Sequence, residues 1–292
     1  MATRDDLVDP FARRGEDRFH GVAFDEDACV ASGWPNGVPR FDEACADVSA
    51  ATSMEHIPGA ISISHRRLSH RGHESLRVCF IAFDVNAFDV QAFERVGVTL
   101  PPGIARAVLK RQAAYCFGRW AARCAMAAIG APPEDVMTGP HHEPLWPPGL
   151  IGSISHGNGL AAAIVLQQRS HRGVGIDVEK VVGDGMQATF VPAVLDTAEF
   201  ARLRSVATDM LPLNLLLTIA FSAKESLYKA SFGAVGRCFG FEAARLAAVD
   251  LSRQRVALVL QQDLCDSLRA GRVCWVHYAR QHPEAVFTSC LW

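Results

Sequence analysis

The sequence predicts an α+β protein made of two layered halves that meet near residues 150–160. Three observations support this. A strand-like apolar run is followed by one long helical stretch; three further apolar segments then precede two helices; and the C-terminal tail alternates as four short strands. With 292 residues, 49% hydrophobic and 21% charged, the chain suits one large domain or two small ones with sizeable cores, and is neither disordered nor fibrous.

Residues 1–55 lack periodicity and carry the turn signals Ser32-Gly33, Asn36-Gly37 and Pro39, so a loosely structured, acidic extension is expected. From Leu76 the run LRVCFIAFD reads as a buried strand. Pro101-Pro102 then opens a helix expected from Ile104 to Ala128. Val108, Tyr115, Phe117 and Trp120 mark its buried face, and Arg106, Lys110, Arg111, Arg119 and Arg123 line the rest; Arg111 and Arg119 fall near one face, about two turns apart. After a Pro- and Gly-rich stretch, His141 to Gly149, the segments GLIGSISH, LAAAIVLQQ and GVGIDVEKV read as a meander of strands. Helices follow near Asp196–Val206 and Leu213–Phe232, then strands at Arg245–Asp250, Arg255–Gln261, Arg272–Tyr278 and Ala285–Leu291. The expected division is 1–55 as the extension, 56–155 as the first half and 156–292 as the second.

Composition narrows the function. The longest nearly apolar stretch, Leu211–Phe221, contains Pro212 and Asn214 and is far shorter than the roughly 20 residues that span a bilayer. The N-terminus MATRDDLVDPFARRGEDRF has acids where a signal peptide needs an apolar core, so a cytoplasmic protein is expected. Nine cysteines, an odd number with no C-x-x-C pair, outline neither a disulfide framework nor a zinc site. Residues 1–50 hold 11 Asp/Glu and 5 Arg, which leaves 20 of the 31 acids and 24 of the 29 bases for the remainder. That mildly basic body suits an anionic ligand or acidic partner; the excess is too small to indicate nucleic acid.

Three segments carry candidate chemistry. In GVGIDVEKV, strand alternation puts Asp177 and Glu179 on one face and Ile176 and Val178 on the other. Converging carboxylates raise each other's pKa unless a cation lies between them, and a hard ion such as Mg²⁺ fits; a solvent-facing strand end fits the same pattern. In FSAKESLYK, Glu225 and Lys229 share a helix face at i, i+4, by default a surface ion pair. Lysine is scarce, four against 25 arginines, yet Lys180, Lys224 and Lys229 all fall in or beside these two segments. In GSISHG, small residues let the backbone, the Ser155 hydroxyl and His156 approach phosphate oxygens, although a hairpin turn explains the glycines equally well. No G-x-S-x-G elbow supports a nucleophilic serine. His65, His70 and His73, flanked by arginines, read as a basic surface loop rather than metal ligands.

G-S-I-S-H, then G-I-D-V-E, then F-S-A-K-E-S-L-Y-K, in this order, resembles the 4'-phosphopantetheinyl transferases. The K-R-Q-A-A-Y-C-F-G-R stretch (Lys110–Arg119) and the P-x-W-P block at Pro144–Pro147 resemble the enterobactin-synthase type within the surfactin-type group. The likeness covers roughly Ile61 to Trp292. It implies a monomer of two similar α+β halves related by a pseudo-twofold, with coenzyme A in the cleft between them. It also implies transfer of the phosphopantetheine arm of coenzyme A to a serine of an acyl or peptidyl carrier protein, releasing adenosine 3',5'-bisphosphate.

By this resemblance Asp177, Glu179 and Glu225 hold Mg²⁺ and Glu225 is the candidate general base, with Lys229 beside it in the catalytic group. Ser155, His156, Lys224 and Lys229 lie toward the phosphates of coenzyme A, and Arg111 and Arg119 toward its 3'-phosphate. The basic stretch His65–Arg71 is an expected docking surface for acidic carriers. The chain departs from the family at His141-His142-Glu143, where a basic residue is usual, and in its acidic extension. Two other classes share these features: a non-catalytic coenzyme A or carrier-binding module, and a metal-dependent phosphoesterase.

Overall fold

The computed structural model describes residues 56–68, 76–169, 171–183, 187–282 and 284–292. The extension 1–55, and His70, Arg71 and His73 of the basic stretch, lie outside the described residues. What is described stacks in four layers: helix, sheet, sheet, helix.

The first sheet has the order β1 (Ala60–Leu68), β2 (Leu76–Phe83), β6 (Leu160–Gln167), β5 (Leu150–Gly157), with every neighbour antiparallel. Asn158 (φ 50) and Gly159 (φ 73) make the β5–β6 turn, both left-handed as a tight two-residue hairpin requires. Helix α3 (Leu109–Ala128) covers the outer face, after the short helices α1 (Gln91–Val96) and α2 (Pro102–Ala105). Ala113, Phe117, Trp120, Ala121 and Ala125 recur at spacings of three and four and are buried against Cys79, Ile81, Ala161 and Ala163. Phe83 stacks on Phe117 at 4.7 Å.

The second sheet has the order β7 (Val174–Lys180), β11 (Ala285–Leu291), β10 (Val273–His282), β9 (Arg255–Leu260), β8 (Ala244–Asp250), again antiparallel throughout. Helix α6 (Leu213–Val235) lies across it, flanked by α4 (Gln187–Val194) and α5 (Thr197–Val206). Leu216, Ala220, Ala223, Leu227 and Ala230 of α6 share a core with Val256, Leu258, Val276 and Val286. Gly236, left-handed at φ 66, ends the helix, its N–H donating to the Phe232 carbonyl at 2.8 Å. The two sheets meet through a third core of Val78, Phe80, Ala162 and Ile164 against Val174, Ile176, Val178 and Phe287, with Phe80 edge-on to Phe287 at 5.4 Å.

The mixed, two-halved architecture agrees with the sequence, with several corrections. β7 does not continue the meander: it leaves β6 and pairs with β11. Because β5 and β6 both belong to the first sheet, the halves divide at the β6–β7 connection rather than at residue 155. The long helix begins at Leu109, its proline-led start being a separate turn, and Val108 is exposed rather than buried. His65 to Leu68 form part of β1 instead of a loop, and Met137–Thr138 (β3) pairs with Pro144–Leu145 (β4) in a small hairpin within the Pro- and Gly-rich region. Among the described residues no helix is long and apolar enough to cross a membrane.

The β8–β9 turn is held by Asp250, which accepts hydrogen bonds from Ser252 Oγ (2.7 Å), the Arg253 N–H (3.1 Å) and Arg255 Nε (3.0 Å). Desolvation opposes its ionisation, but these bonds outweigh it and bring the pKa from 3.8 to about 2. A carboxyl depressed in the fold stabilises above its unfolded pKa, and that contribution is lost as pH falls through the folded value. Asp250→Asn is therefore expected to melt lower than the unaltered chain at neutral pH, by up to roughly 2 kcal/mol. The difference should shrink between pH 4 and pH 2 in thermal melts across that range; a pH-independent difference would assign the effect to packing.

Candidate active site between the halves

The strands β5 and β7 cross where the sheets meet, and two serine hydroxyls join them. Ser153 Oγ accepts from the Ile176 N–H at 3.0 Å, and Ser155 Oγ accepts from the Val178 N–H at 3.1 Å. The approach is close: a Cβ on Gly157 would lie 2.8 Å from the Val178 carbonyl oxygen. The small residues of G-S-I-S-H-G are thus needed by the crossing itself.

Asp177 sits at this crossing and is only 2% exposed. Its Oδ1 accepts from Lys229 Nζ at 2.6 Å and Ser155 Oγ at 2.9 Å, and its Oδ2 from Ser222 Oγ at 2.8 Å. Ser222, Glu225 and Lys229 come from one face of α6, at spacings of three and four. Glu179 shares the Asp177 face of β7. Desolvation and then the charge of Asp177 raise its pKa to about 7, against the opposing pull of Lys229. Glu225 is also raised, by desolvation and by Asp177, again opposed by Lys229. Burial works against the charge on Lys229, but the surrounding carboxylates outweigh it and hold its pKa above the ordinary lysine value. One lysine thus faces three carboxylates.

The cations lie on the other wall. Arg111 Nη1 donates to His156 Nε2 at 3.2 Å, which leaves that imidazole neutral with its proton on Nδ1. Crowding by protein atoms, then the charges of Arg111 and Lys229, lower the His156 pKa to about 4. Arg119, 8% exposed, has its guanidinium 4.8 Å over the Tyr115 ring and donates from Nη2 to Thr138 Oγ1 at 2.9 Å. Its buried Nε has no partner, and no carboxylate pairs with it among the described residues. A buried guanidinium left in this state is suited to an incoming anion.

Two expected contacts are redirected. Lys224 is buried and points away from Asp177: its ammonium pairs with Glu199 at 2.8 Å and donates to the Val194 and Phe241 carbonyls. Five residues along a helix turn a side chain by roughly 140°, so Lys224 and Lys229 cannot share a face. Ser155 is likewise committed inward, to Asp177 and the Val178 N–H. The variant loop His141-His142-Glu143 joins β3 to β4 and reaches α6, where the His141 ring lies 5.9 Å from Phe232.

Sequence reasoning missed Ser153, Ser222 and a cavity of about 470 Å³ beside Glu225, lined by Tyr228, Cys238, Phe239, Phe241 and Gln262. Tyr228 lies within the FSAKESLYK segment; the lining at 238–241 lies beyond the end of α6, with no periodicity to mark it. The donor set of Asp177, Glu179 and Glu225 is all oxygen and short of positive charge, which fits a hard divalent cation. Among the described residues no three such side chains are gathered into a ready cage, and Asp177 spends its oxygens on Lys229 and the serines.

Carboxylates on one wall and phosphate-suited cations on the other define a protein that handles anionic phosphate groups. Comparison with known proteins makes this particular. Residues 101–166 match the 4'-phosphopantetheinyl transferase N-terminal domain, and residues 173–282 the 4'-phosphopantetheinyl transferase superfamily, the two spans parting at the β6–β7 connection. Enterobactin synthase component D of Salmonella typhimurium is 36% identical over 167 residues, 57% of this chain and 66% of the relative. That of Salmonella typhi is 35% identical over 189 residues, 64% of this chain and 74% of the relative. The 4'-phosphopantetheinyl transferase PptT of Mycobacterium tuberculosis is 36% identical over 148 residues, 50% of this chain and 62% of the relative. The matches thus span 62% to 74% of these relatives' own length. The chain belongs to the 4'-phosphopantetheinyl transferase family.

The Lys224–Glu199 pair generates a test. Glu199 is 3% exposed and also accepts from the Leu246 and Asp196 N–H groups, both at 2.7 Å. Lys224→Met strands that carboxylate in the core and is expected to cost roughly 3–5 kcal/mol in denaturant unfolding. An unchanged midpoint would show that the pair carries no structural weight.

Proposed function

We propose that this chain transfers the 4'-phosphopantetheine arm of coenzyme A to a serine of an apo carrier protein, with Mg²⁺, releasing adenosine 3',5'-bisphosphate. The observation that carries this reading is the gathering of Asp177, Glu179, Glu225 and Lys229 beside Arg111 and His156, with the unsatisfied Arg119 next along α3, where β5 and β7 meet. The carrier's serine oxygen bonds to the phosphorus that bears the pantetheine arm as the bond from that phosphorus to the bridging oxygen of the pyrophosphate breaks. Glu225, raised in pKa and with no hydrogen-bond or ion-pair partner on its carboxylate among the described residues, accepts the serine proton. Asp177, Glu179 and Glu225 would hold the divalent ion, which when bound clamps the charge of the pyrophosphate oxygens.

Lys229, fixed on Asp177 Oδ1, keeps positive charge beside the reacting phosphates, with the His156 ring and Arg111 next to it. Arg111 and the unsatisfied Arg119 suit the 3'-phosphate. The cavity beside Glu225, walled by Tyr228, Phe239 and Phe241 and lined also by Lys224, Arg237 and Glu242, has room for the arm and polar groups for its amides. The names of the Salmonella relatives direct the carrier expectation to a siderophore synthetase, with other nonribosomal peptide, polyketide or fatty-acid carriers as alternatives. Both walls of the cleft come from one chain, which supports a monomer, and the proposed site of action is the cytoplasm.

Intact mass spectrometry of apo carriers from several pathways, incubated with this protein, coenzyme A and Mg²⁺, tests the reading. One carrier gains one phosphopantetheine, and chelation of the metal abolishes the gain. Hydrolysed coenzyme A without a modified carrier would favour a phosphoesterase, and untouched coenzyme A a binding module. Glu225→Gln is the informative control, since Glu225 ties no elements together as Asp177 does. It is expected to keep its fold and coenzyme A binding and to lose roughly 10²–10⁴ in turnover; full turnover would remove Glu225 from the mechanism.

A further inference from the structure

Thr288 and Ser289 interrupt the apolar run of β11, both buried, and they face opposite sides of the sheet. Their neighbours Val286, Phe287 and Cys290 are apolar and buried, and in the ladder Thr288 stands directly opposite Asp177 of β7. Thr288, Ser222 and Ser226 are each 0% exposed. Thr288 Oγ1 lies 2.7 Å from Ser226 Oγ, 2.9 Å from Ser222 Oγ and 2.8 Å from the Ser222 carbonyl oxygen.

The protons can be counted. An ionised carboxylate only accepts, so the single Ser222 proton goes to Asp177 Oδ2. The Ser222 carbonyl can only accept, so the single Thr288 proton goes to it, and the contact with Ser226 requires Ser226 to donate to Thr288. Thr288 thus holds the backbone of Ser222 through its carbonyl and abuts the Ser222 hydroxyl at 2.9 Å, Ser226 holds Thr288, and Ser222 donates to Asp177. Valine would fill the same space in the sheet without a buried hydroxyl to satisfy, so packing alone does not call for threonine here.

We infer that Thr288 is a positioning residue for the transfer: acting through Ser222, it fixes the Oδ2 side of Asp177 and so the aim of that carboxylate toward the divalent ion. This rests on the transferase reading above. Thr288 lies beyond residues 173–282, the span matched by the superfamily. Its role follows from the ladder partner and from its hold on Ser222.

The test compares the unaltered full chain with Thr288→Val, which keeps the shape, and Thr288→Ser, which keeps the hydroxyl. Mn²⁺ binding is read by electron paramagnetic resonance with coenzyme A present, transfer kinetics on a carrier by mass spectrometry, and folding by thermal melts. In folded Thr288→Val, Mn²⁺ affinity and kcat are expected to fall by about tenfold, the scale of lost support behind a metal ligand, with the KM for coenzyme A little changed. Thr288→Ser should restore both. Equal Mn²⁺ affinity in Thr288→Val and the unaltered chain would overturn the inference while leaving the transferase reading intact, and so would equal loss in the valine and serine variants. An unaltered chain that takes up no Mn²⁺ would overturn both. If Thr288→Val does not fold, Ser226→Ala carries the same test, since it removes the donor that holds the Thr288 hydroxyl in place. Its Mn²⁺ affinity should fall several-fold, and an unchanged value would overturn the inference.

Discussion

Most of this structure hangs on one buried carboxylate. An ionised Asp at 2% exposure costs several kcal/mol in desolvation unless its oxygens are filled. Here the filling comes from separate elements: Ser155 from β5, Ser222 and Lys229 from α6. Each of those bonds is also a tie. Through Asp177 the first sheet, the second sheet and the long second-half helix are fastened at one point, so the group that would serve chemistry also fixes the angle between the halves. A truncation at 177 would remove the tie and leave Lys229 and the serines buried without a partner.

Close approach makes that tie possible. β5 and β7 are edge strands of different sheets, and they are joined by two hydroxyls accepting backbone N–H groups. Serine is small enough for this and carries the needed oxygen; Gly157 clears the Val178 carbonyl. Behind the crossing, the apolar layer around Phe80, Ile164, Ile176 and Phe287 gives both sheets a reason to meet, since neither could leave that face in water. Polar specificity at the rim and apolar burial behind it have different roles: burial supplies the drive, and the serines set the register.

Much of this was legible in the sequence. The α6 and α3 patterns repeat at helical spacing, and β6 reads as an unbroken apolar run because both of its faces are covered. Asp177 and Glu179 alternate as a strand requires, and Glu225 with Lys229 keeps the helical phase. Other features were hidden for physical reasons. β7 follows β6 in the chain, so a meander is the local expectation, but its partner β11 lies more than a hundred residues away, and no local pattern encodes that pairing. β1 mixes isoleucines with serines and arginines because it is a half-exposed edge. Lys224 was misdirected by sequence adjacency, although helical phase alone separates it from Lys229; its partner Glu199, in another helix, leaves no local signal. Thr288 and Ser222 each appear as a small polar residue in an apolar run, and they acquire meaning only when the ladder and α6 bring them to Asp177.

The two walls of the cleft carry opposite deficits. The β7 and α6 wall has three carboxylates facing Lys229, and the resulting repulsion appears in the raised pKa values of Glu179 and Glu225. The α3 and β5 wall has Arg111, His156 and a buried Arg119 whose Nε is unanswered. A ligand that brings phosphates to one wall and a divalent cation to the other relieves both at once. Such a site favours the complete substrate over any fragment of it, since a free phosphate answers only the arginines and a free cation only the carboxylates. In the proposed reading, binding both together converts these electrostatic penalties into selectivity for a metal-bound pyrophosphate.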